Sequence, residues 1–114
     1  MTTRLNRVAL QRGVRLPQPA TLKVYGWTLP EWLAMLDAQG WVCPLCGRFP
    51  KEGKFVTDHE HVRGWKKMPP EQRKLYVRGL TCWTCNKFML QRGMTTVVAS
   101  NIVVYLERYL ERRP

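Results

Sequence analysis

The sequence predicts a small α+β domain pinned by a four-cysteine zinc site and flanked by helices. Three observations predict it. Two Cys-x-x-Cys knuckles, Cys43-Pro44-Leu45-Cys46 and Cys82-Trp83-Thr84-Cys85, stand on either side of a central stretch. That spacing lets two sulfurs from one tight turn take adjacent corners of a tetrahedron, as structural zinc requires. Between the knuckles lie two short β-favouring runs, Phe55-Val56-Thr57 and Val77 to Leu80. Outside the knuckles, apolar residues recur with helical spacing.

At 114 residues the chain suits one domain with a modest core, short enough for a metal staple to matter. A hydrophobic share of 45% is enough to build that core and excludes wholesale disorder. A formal charge of +11 and a pI near 10.1 predict a polyanionic partner, with nucleic acid ahead of an anionic membrane. No stretch reads as a membrane span, and Met1 to Pro30 lacks the apolar run of a signal peptide. A cytoplasmic setting is therefore expected, where paired Cys-x-x-Cys means metal more often than disulfide.

Residues 1–24 are expected to form a basic arm. Arg4, Arg7, Arg12, Arg15 and Lys23 meet no acidic residue before Glu31, and Gly13, Pro17 and Pro19 interrupt any long helix. Such an arm either lies along phosphates or is a solvated, partly disordered terminus. Residues 25–93 read as the zinc-stabilised core. Thr28-Leu29-Pro30-Glu31 is a capping box, and Leu29, Trp32, Leu33 and Leu36 share one helix face before a stop at Gly40. Trp32 is taken as core. The run at 55–57 delivers Asp58 and His59 at its end. Trp65 to Tyr76 carries Lys66, Lys67, Arg73 and Lys74 against Glu71 alone, as a basic surface over nucleic acid or an ordinary solvated insertion. Val77 to Leu80 is the returning strand, and Thr81 is placed as the cap of a helix from about Cys82 to Gln91. Residues 94–114 hold a last helix, about Thr95 to Arg112, with Val98, Ile102, Tyr105, Leu106 and Tyr109 on one stripe. The stripe covers the domain's own core or builds a dimer interface, with core the default for a small domain.

Six side chains are candidate zinc ligands: Cys43, Cys46, Cys82, Cys85, His59 and His61. A closed structural site takes four. The two histidines are separated by a single residue, too close for a Cys2His2 finger. Giving zinc to the cysteines leaves both imidazoles free beside Asp58. Phosphodiester hydrolysis needs a deprotonated water, an oxygen-seeking cation and help for the leaving oxygen. His59 has the intrinsic pKa, about 6.5, to take a proton from water near neutral pH. Asp58 and Asn86 offer hard oxygens to Mg²⁺, which takes only one or two protein groups and keeps several waters. His61 can donate a hydrogen bond to the phosphate. The constellation predicts a metal-dependent nuclease, with Arg63, Lys66, Lys67, Arg73, Lys74, Arg78 and Lys87 as candidate contacts to nucleic acid.

The order Cys43-x-x-Cys46, Asp58-His59-Glu60-His61, Arg78-Gly79-Leu80-x-Cys82-x-x-Cys85-Asn86 resembles the recombination endonuclease VII family of phage junction resolvases. That family belongs to the His-Me finger (HNH-like) nucleases. The lead-in Tyr25-Gly26-Trp27-Thr28 and the stretch Leu36-Asp37-Ala38-Gln39-Gly40 are similar too, so the likeness spans roughly residues 25–90. The resemblance implies a ββα-metal core pinned by zinc, with His59 as general base and His61 near the phosphate. It implies Asp58 and Asn86 as ligands of a catalytic Mg²⁺ or Mn²⁺. It also implies cleavage of branched DNA such as a four-way (Holliday) junction, often by a homodimer. Two departures stand out: Trp65 to Val77 is inserted, and Met89 replaces a carboxylate that some relatives carry three residues after the asparagine. They bear on junction specificity and dimerisation more than on the catalytic chemistry. Two other readings remain: an HNH nicking or homing-type endonuclease on duplex DNA, and a non-catalytic zinc-stabilised DNA-binding module. The last leaves Asp58, His59 and Asn86 without a role.

Overall fold

The computed structural model describes residues 3–91 and 93–113. Three helices open the chain. Thr3 caps α1 (Arg4–Arg12) by accepting the Asn6 amide, and Gly13, in the left-handed conformation, ends it. Pro19 starts the short α2 (Pro19–Val24). At α3 (Leu29–Ala38) the expected capping box is formed. Thr28 Oγ1 accepts the Glu31 amide at 3.3 Å, and the Glu31 carboxylate accepts the Thr28 amide at 3.0 Å. Trp32, Leu33 and Leu36 are buried on one face of α3, in a core completed by Ala9, Val14, Trp27, Trp41, Phe55 and Leu80. Trp32 meets Phe55 edge-on at 6.5 Å, so it is core as expected.

Residues 4–24 are folded, unlike the arm read from their charges. Ala9 and Val14 are buried in the core, and the Arg15 amide donates to the Gly53 carbonyl at 2.9 Å. The glycine and proline breaks divide the segment into two helices rather than keeping it extended. Leu5, Val8 and Leu22 pack against the core, while Arg4, Arg7, Arg12 and Arg15 stay on the surface.

β1 (Val56–His59) and β2 (Val77–Thr81) form an antiparallel hairpin. The register runs Val56↔Thr81, Thr57↔Leu80 and Asp58↔Gly79, then shifts so that His59 faces Val77. Arg78 is thereby left out of the pairing as a bulge. Gln39 ties this hairpin to α3: its side chain donates to the Leu80 carbonyl and accepts the Leu80 amide, both at 2.7 Å. The amide side chain acts as a third strand's peptide against β2. Gly79 makes room for it, since a Cβ there would stand 2.9 Å from Gln39 Oε1.

The insertion between the strands contains a turn at Trp65–Lys67, α4 (Pro70–Arg73) and a turn at Lys74–Tyr76. It is docked on the α2–α3 junction rather than solvated. Arg73 donates to the Val24 carbonyl at 3.2 Å and the Lys66 carbonyl at 2.9 Å, and Lys74 forms an ion pair with Glu31. Gly26, at φ 63°, lies so close to Pro70 that a Cβ would come within 2.9 Å of its backbone.

Beyond β2 the helix expected over about Cys82 to Gln91 forms only in part: Trp83 and Thr84 are α-helical, with the Asn86 amide donating to the Cys82 carbonyl at 3.0 Å. Thr81 completes the strand instead of capping, and Cys85–Met89 winds into a wide turn in which the Leu90 amide reaches back to the Cys85 carbonyl at 3.0 Å. α5 (Thr96–Arg112) follows, capped by Thr95, with no buried residue. Its stripe does not cover the core of its own chain. α1, α3 and the hairpin already enclose that core, and Ile102, Leu106 and Tyr109 are 43%, 52% and 48% exposed. Among the described residues no helix is long and apolar enough to cross a membrane.

Gly26→Ala should loosen the docked insertion. Strain at positive φ and the contact with Pro70 predict a loss of about 1–3 kcal/mol, read as a lower urea midpoint. An unchanged midpoint would show that the close approach is not there.

Candidate active site

Two clusters are built from the segments that the hairpin joins. In the first, the sulfurs of Cys43, Cys46, Cys82 and Cys85 all lie within 4.8 Å of one another, and those of Cys46 and Cys82 are 3.9 Å apart. A tetrahedron with Zn–S bonds of about 2.3 Å has edges of roughly 3.8 Å, so the cluster has the size that zinc needs. None of the four is in a disulfide. Burial works to raise the Cys43 pKa, but the backbone amides of Cys46, Cys82 and Leu45 aimed at its sulfur bring it down to about 7. Burial and the neighbouring sulfurs push Cys85 up to about 12. One sulfur is thus prepared as a thiolate, and a cation is what would let all four ionise together. Neither histidine belongs to this cluster.

The second cluster sits at the bulge. Asp58 is 3% exposed, at the inner side of β1. Its carboxylate accepts Arg78 Nε at 2.7 Å and Nη2 at 3.0 Å, and Asn86 Nδ2 at 3.2 Å. The bulge frees Arg78 to reach across the hairpin, and the wide turn after β2 brings Asn86 in from the other side. The hydrogen bonds and charge of Asp58 hold the Arg78 pKa above its ordinary value. The two residues expected to hold a catalytic cation are therefore adjacent, and a guanidinium stands on both carboxylate oxygens.

His59 follows at the end of β1, half-buried. Its Nδ1 is 3.0 Å from the Glu60 carbonyl. A carbonyl only accepts, so Nδ1 carries a proton, and in the neutral ring the lone pair then lies on Nε2. The indole of Trp65 stacks on the imidazole at 4.0 Å with 6° between planes, and the His61 ring lies at 5.0 Å. An open cleft of about 870 Å³ lies here, lined by His59, His61, Arg63, Trp65, Lys66 and Lys67 among others.

The basic residues singled out from the sequence divide into two sets. Arg63, Lys66 and Lys67 line the cleft, and Lys87 lies on the surface with its ammonium 4.8 Å from the Trp83 ring centroid. Arg78, Arg73 and Lys74 are instead engaged by groups of the chain itself, by Asp58, by two backbone carbonyls and by Glu31. A cation's type does not reveal its partner, so the sequence placed both sets together. Gln39, Trp65 and the Glu60 carbonyl carried no sequence signal of their roles.

Arg78→Gln would leave the Asp58 charge buried with one amide for company. A loss of about 1–3 kcal/mol is expected, the guanidinium being partly exposed, and Mg²⁺ or Mn²⁺ should restore part of it by replacing the lost cation. Thermal melts with and without metal check this; no loss in either condition would contradict the pairing.

Comparison with known proteins follows the same lines. The family model for recombination endonuclease VII matches residues 19–109. Over 70 residues the chain is 36% identical to the Gene 59 protein of Mycobacterium phage D29, a match covering 60% of this chain. The chain spans only about a third of that relative, 36% of its length. No solved structure matches. With the family model extending from the start of α2 into α5, the chain belongs to the recombination endonuclease VII family.

Proposed function

We propose that this chain is a metal-dependent DNA endonuclease acting on branched DNA such as four-way junctions. One observation carries the reading: His59 with Nδ1 turned to the Glu60 carbonyl, a buried Asp58 and an Asn86 amide 3.2 Å from it converge on one hairpin and the turn after it. Two strands followed by a helical turn run in ββα order, which supports a His-Me finger core pinned by zinc on Cys43, Cys46, Cys82 and Cys85.

Asp58 and Asn86 are the residues that would hold Mg²⁺ or Mn²⁺. They fit it, because Arg78 already shows that a cation is favourable on the Asp58 oxygens, and a rotation of the Asn86 amide would present its oxygen in place of Nδ2. The chemistry a cation would supply there is polarisation of a phosphate oxygen and an offset to charge building on the leaving group. Arg78, beside the same carboxylate with its side chain partly exposed, is placed to meet a DNA phosphate. His59 Nε2 accepts the proton of the attacking water, and His61 donates to a phosphate oxygen. Arg63, Lys66 and Lys67 hold the backbone along the cleft. The uncovered stripe of α5 supports a homodimer that presents two active sites to a symmetric junction. Ala99, Ile102, Leu106 and Tyr109 follow the spacing of a two-helix seam.

The test is cleavage of a labelled four-way junction beside its linear arms, in Mg²⁺, Mn²⁺ or chelator. Metal-dependent cutting of the junction is expected, reduced at least about 100-fold by His59→Ala. Equal cutting of linear duplex would favour a nicking or homing-type enzyme. Tight binding without cutting in any metal would leave a non-catalytic zinc module.

A further inference from the structure

We infer that Trp65, contributed by the insertion, is the positioning residue for His59. The inference rests on the reading of His59 as general base. The indole and imidazole planes lie 6° apart with centroids at 4.0 Å, a full face-to-face contact. The other rings near His59 are tilted and farther away, His61 at 5.0 Å and Tyr25 at 6.1 Å. A histidine at a strand end has two side-chain torsions to fix. The hydrogen bond to the Glu60 carbonyl selects which ring edge points to the backbone, and the indole sets the plane in which the opposite edge, Nε2, is presented.

Trp65 can do this because it is held by the scaffold independently of His59. Tyr25 lies 5.8 Å away by ring centroids, and the Arg73 guanidinium is 5.2 Å from the indole centroid. Arg73 is itself bonded to the Val24 and Lys66 carbonyls, on the surface where Gly26 meets Pro70. Orientation is thus passed from the α2–α3 junction through Arg73 and Trp65 to the imidazole.

A base-stacking platform for DNA is the competing role for an indole in a basic cleft. Geometry disfavours it. One face of the indole is covered by His59, Trp65 is half-buried, and its Nε1 is buried without a hydrogen-bond partner among the described residues. Trp83, by contrast, is 54% exposed.

Two variants test the inference: Trp65→Leu, which keeps apolar bulk without a flat face, and Trp65→Phe, which keeps a ring and removes an N–H that makes no bond. The first readout is NMR of the His59 ring in zinc-loaded protein without Mg²⁺, Mn²⁺ or DNA. Stacking on the indole places the His59 carbon-bound protons upfield, and the bond to Glu60 gives a single Nδ1–H tautomer. Trp65→Leu is expected to lose the upfield shift and mix tautomers, while Trp65→Phe keeps most of both. The second readout is junction cleavage: kcat should fall about 10- to 100-fold in Trp65→Leu with KM within about twofold, and largely recover in Trp65→Phe. An unchanged His59 spectrum in Trp65→Leu, a rise in KM without loss of kcat, or equal impairment of both variants would overturn it. Inactive wild type would defeat the nuclease reading alone, since the spectra decide the positioning contact without any cutting.

Discussion

The four-cysteine cluster is the constraint on which the rest depends. It joins the turn after α3 to the turn after β2, so the hairpin, the insertion and the residues from Asp58 to Arg78 lie within one closed loop of chain. Strands of four and five residues make a hairpin that would be marginal alone, and here a long insertion separates them. Fixing the two knuckles together removes most of the closure entropy that this pairing would otherwise cost. Gln39 adds a second tie by satisfying both backbone groups of Leu80, which aligns the hairpin on α3. The core behind it, centred on Trp32, Leu33 and Leu36, gives that alignment something rigid to refer to.

Within that frame, one bulge decides the site. A regular register would have placed Arg78 opposite His59; the shift after Asp58 frees it to pair with a carboxylate that is almost wholly buried. An isolated buried carboxylate is costly, and the guanidinium and the Asn86 amide together offset that cost. The same arrangement sets a guanidinium against both carboxylate oxygens. On the reading proposed above, the stability of the resting protein and the holding of a cation draw on the same contact. The insertion plays a comparable double part, anchored by Arg73 and Lys74 on one side and stacked on His59 on the other.

Much of this was legible in the sequence where local chemistry has a fixed spacing. The capping box at Thr28 and Glu31, the apolar face of α3, the paired knuckles and the adjacency of Asp58 and His59 all belong to that kind. The relation of Asp58 to Asn86 followed from the motif order, and the family match covers both residues. What was not legible depends on long-range partners. Arg73, Lys74 and Arg78 read as surface cations because charge alone does not say which carboxylate or carbonyl lies opposite. The N-terminal segment looked like an arm because its charge is uniformly basic and its breaks are frequent, while the apolar residues that dock it, Ala9 and Val14 among them, are scattered between them. Thr81 has the composition of a cap, yet strand pairing with Val56 took precedence. The stripe on α5 was read correctly as apolar, but periodicity does not show whether the chain's own core has room for it.

Metal content tests the central constraint most directly. Zinc in the purified protein would be quantified by elemental analysis and native mass spectrometry, with amide NMR spectra recorded before and after chelation. One zinc per chain is predicted, with loss of amide dispersion on its removal, because structural zinc contributes on the order of 10 kcal/mol in small modules. A zinc-free protein with a fully dispersed spectrum, or cysteines found oxidised in pairs, would contradict it.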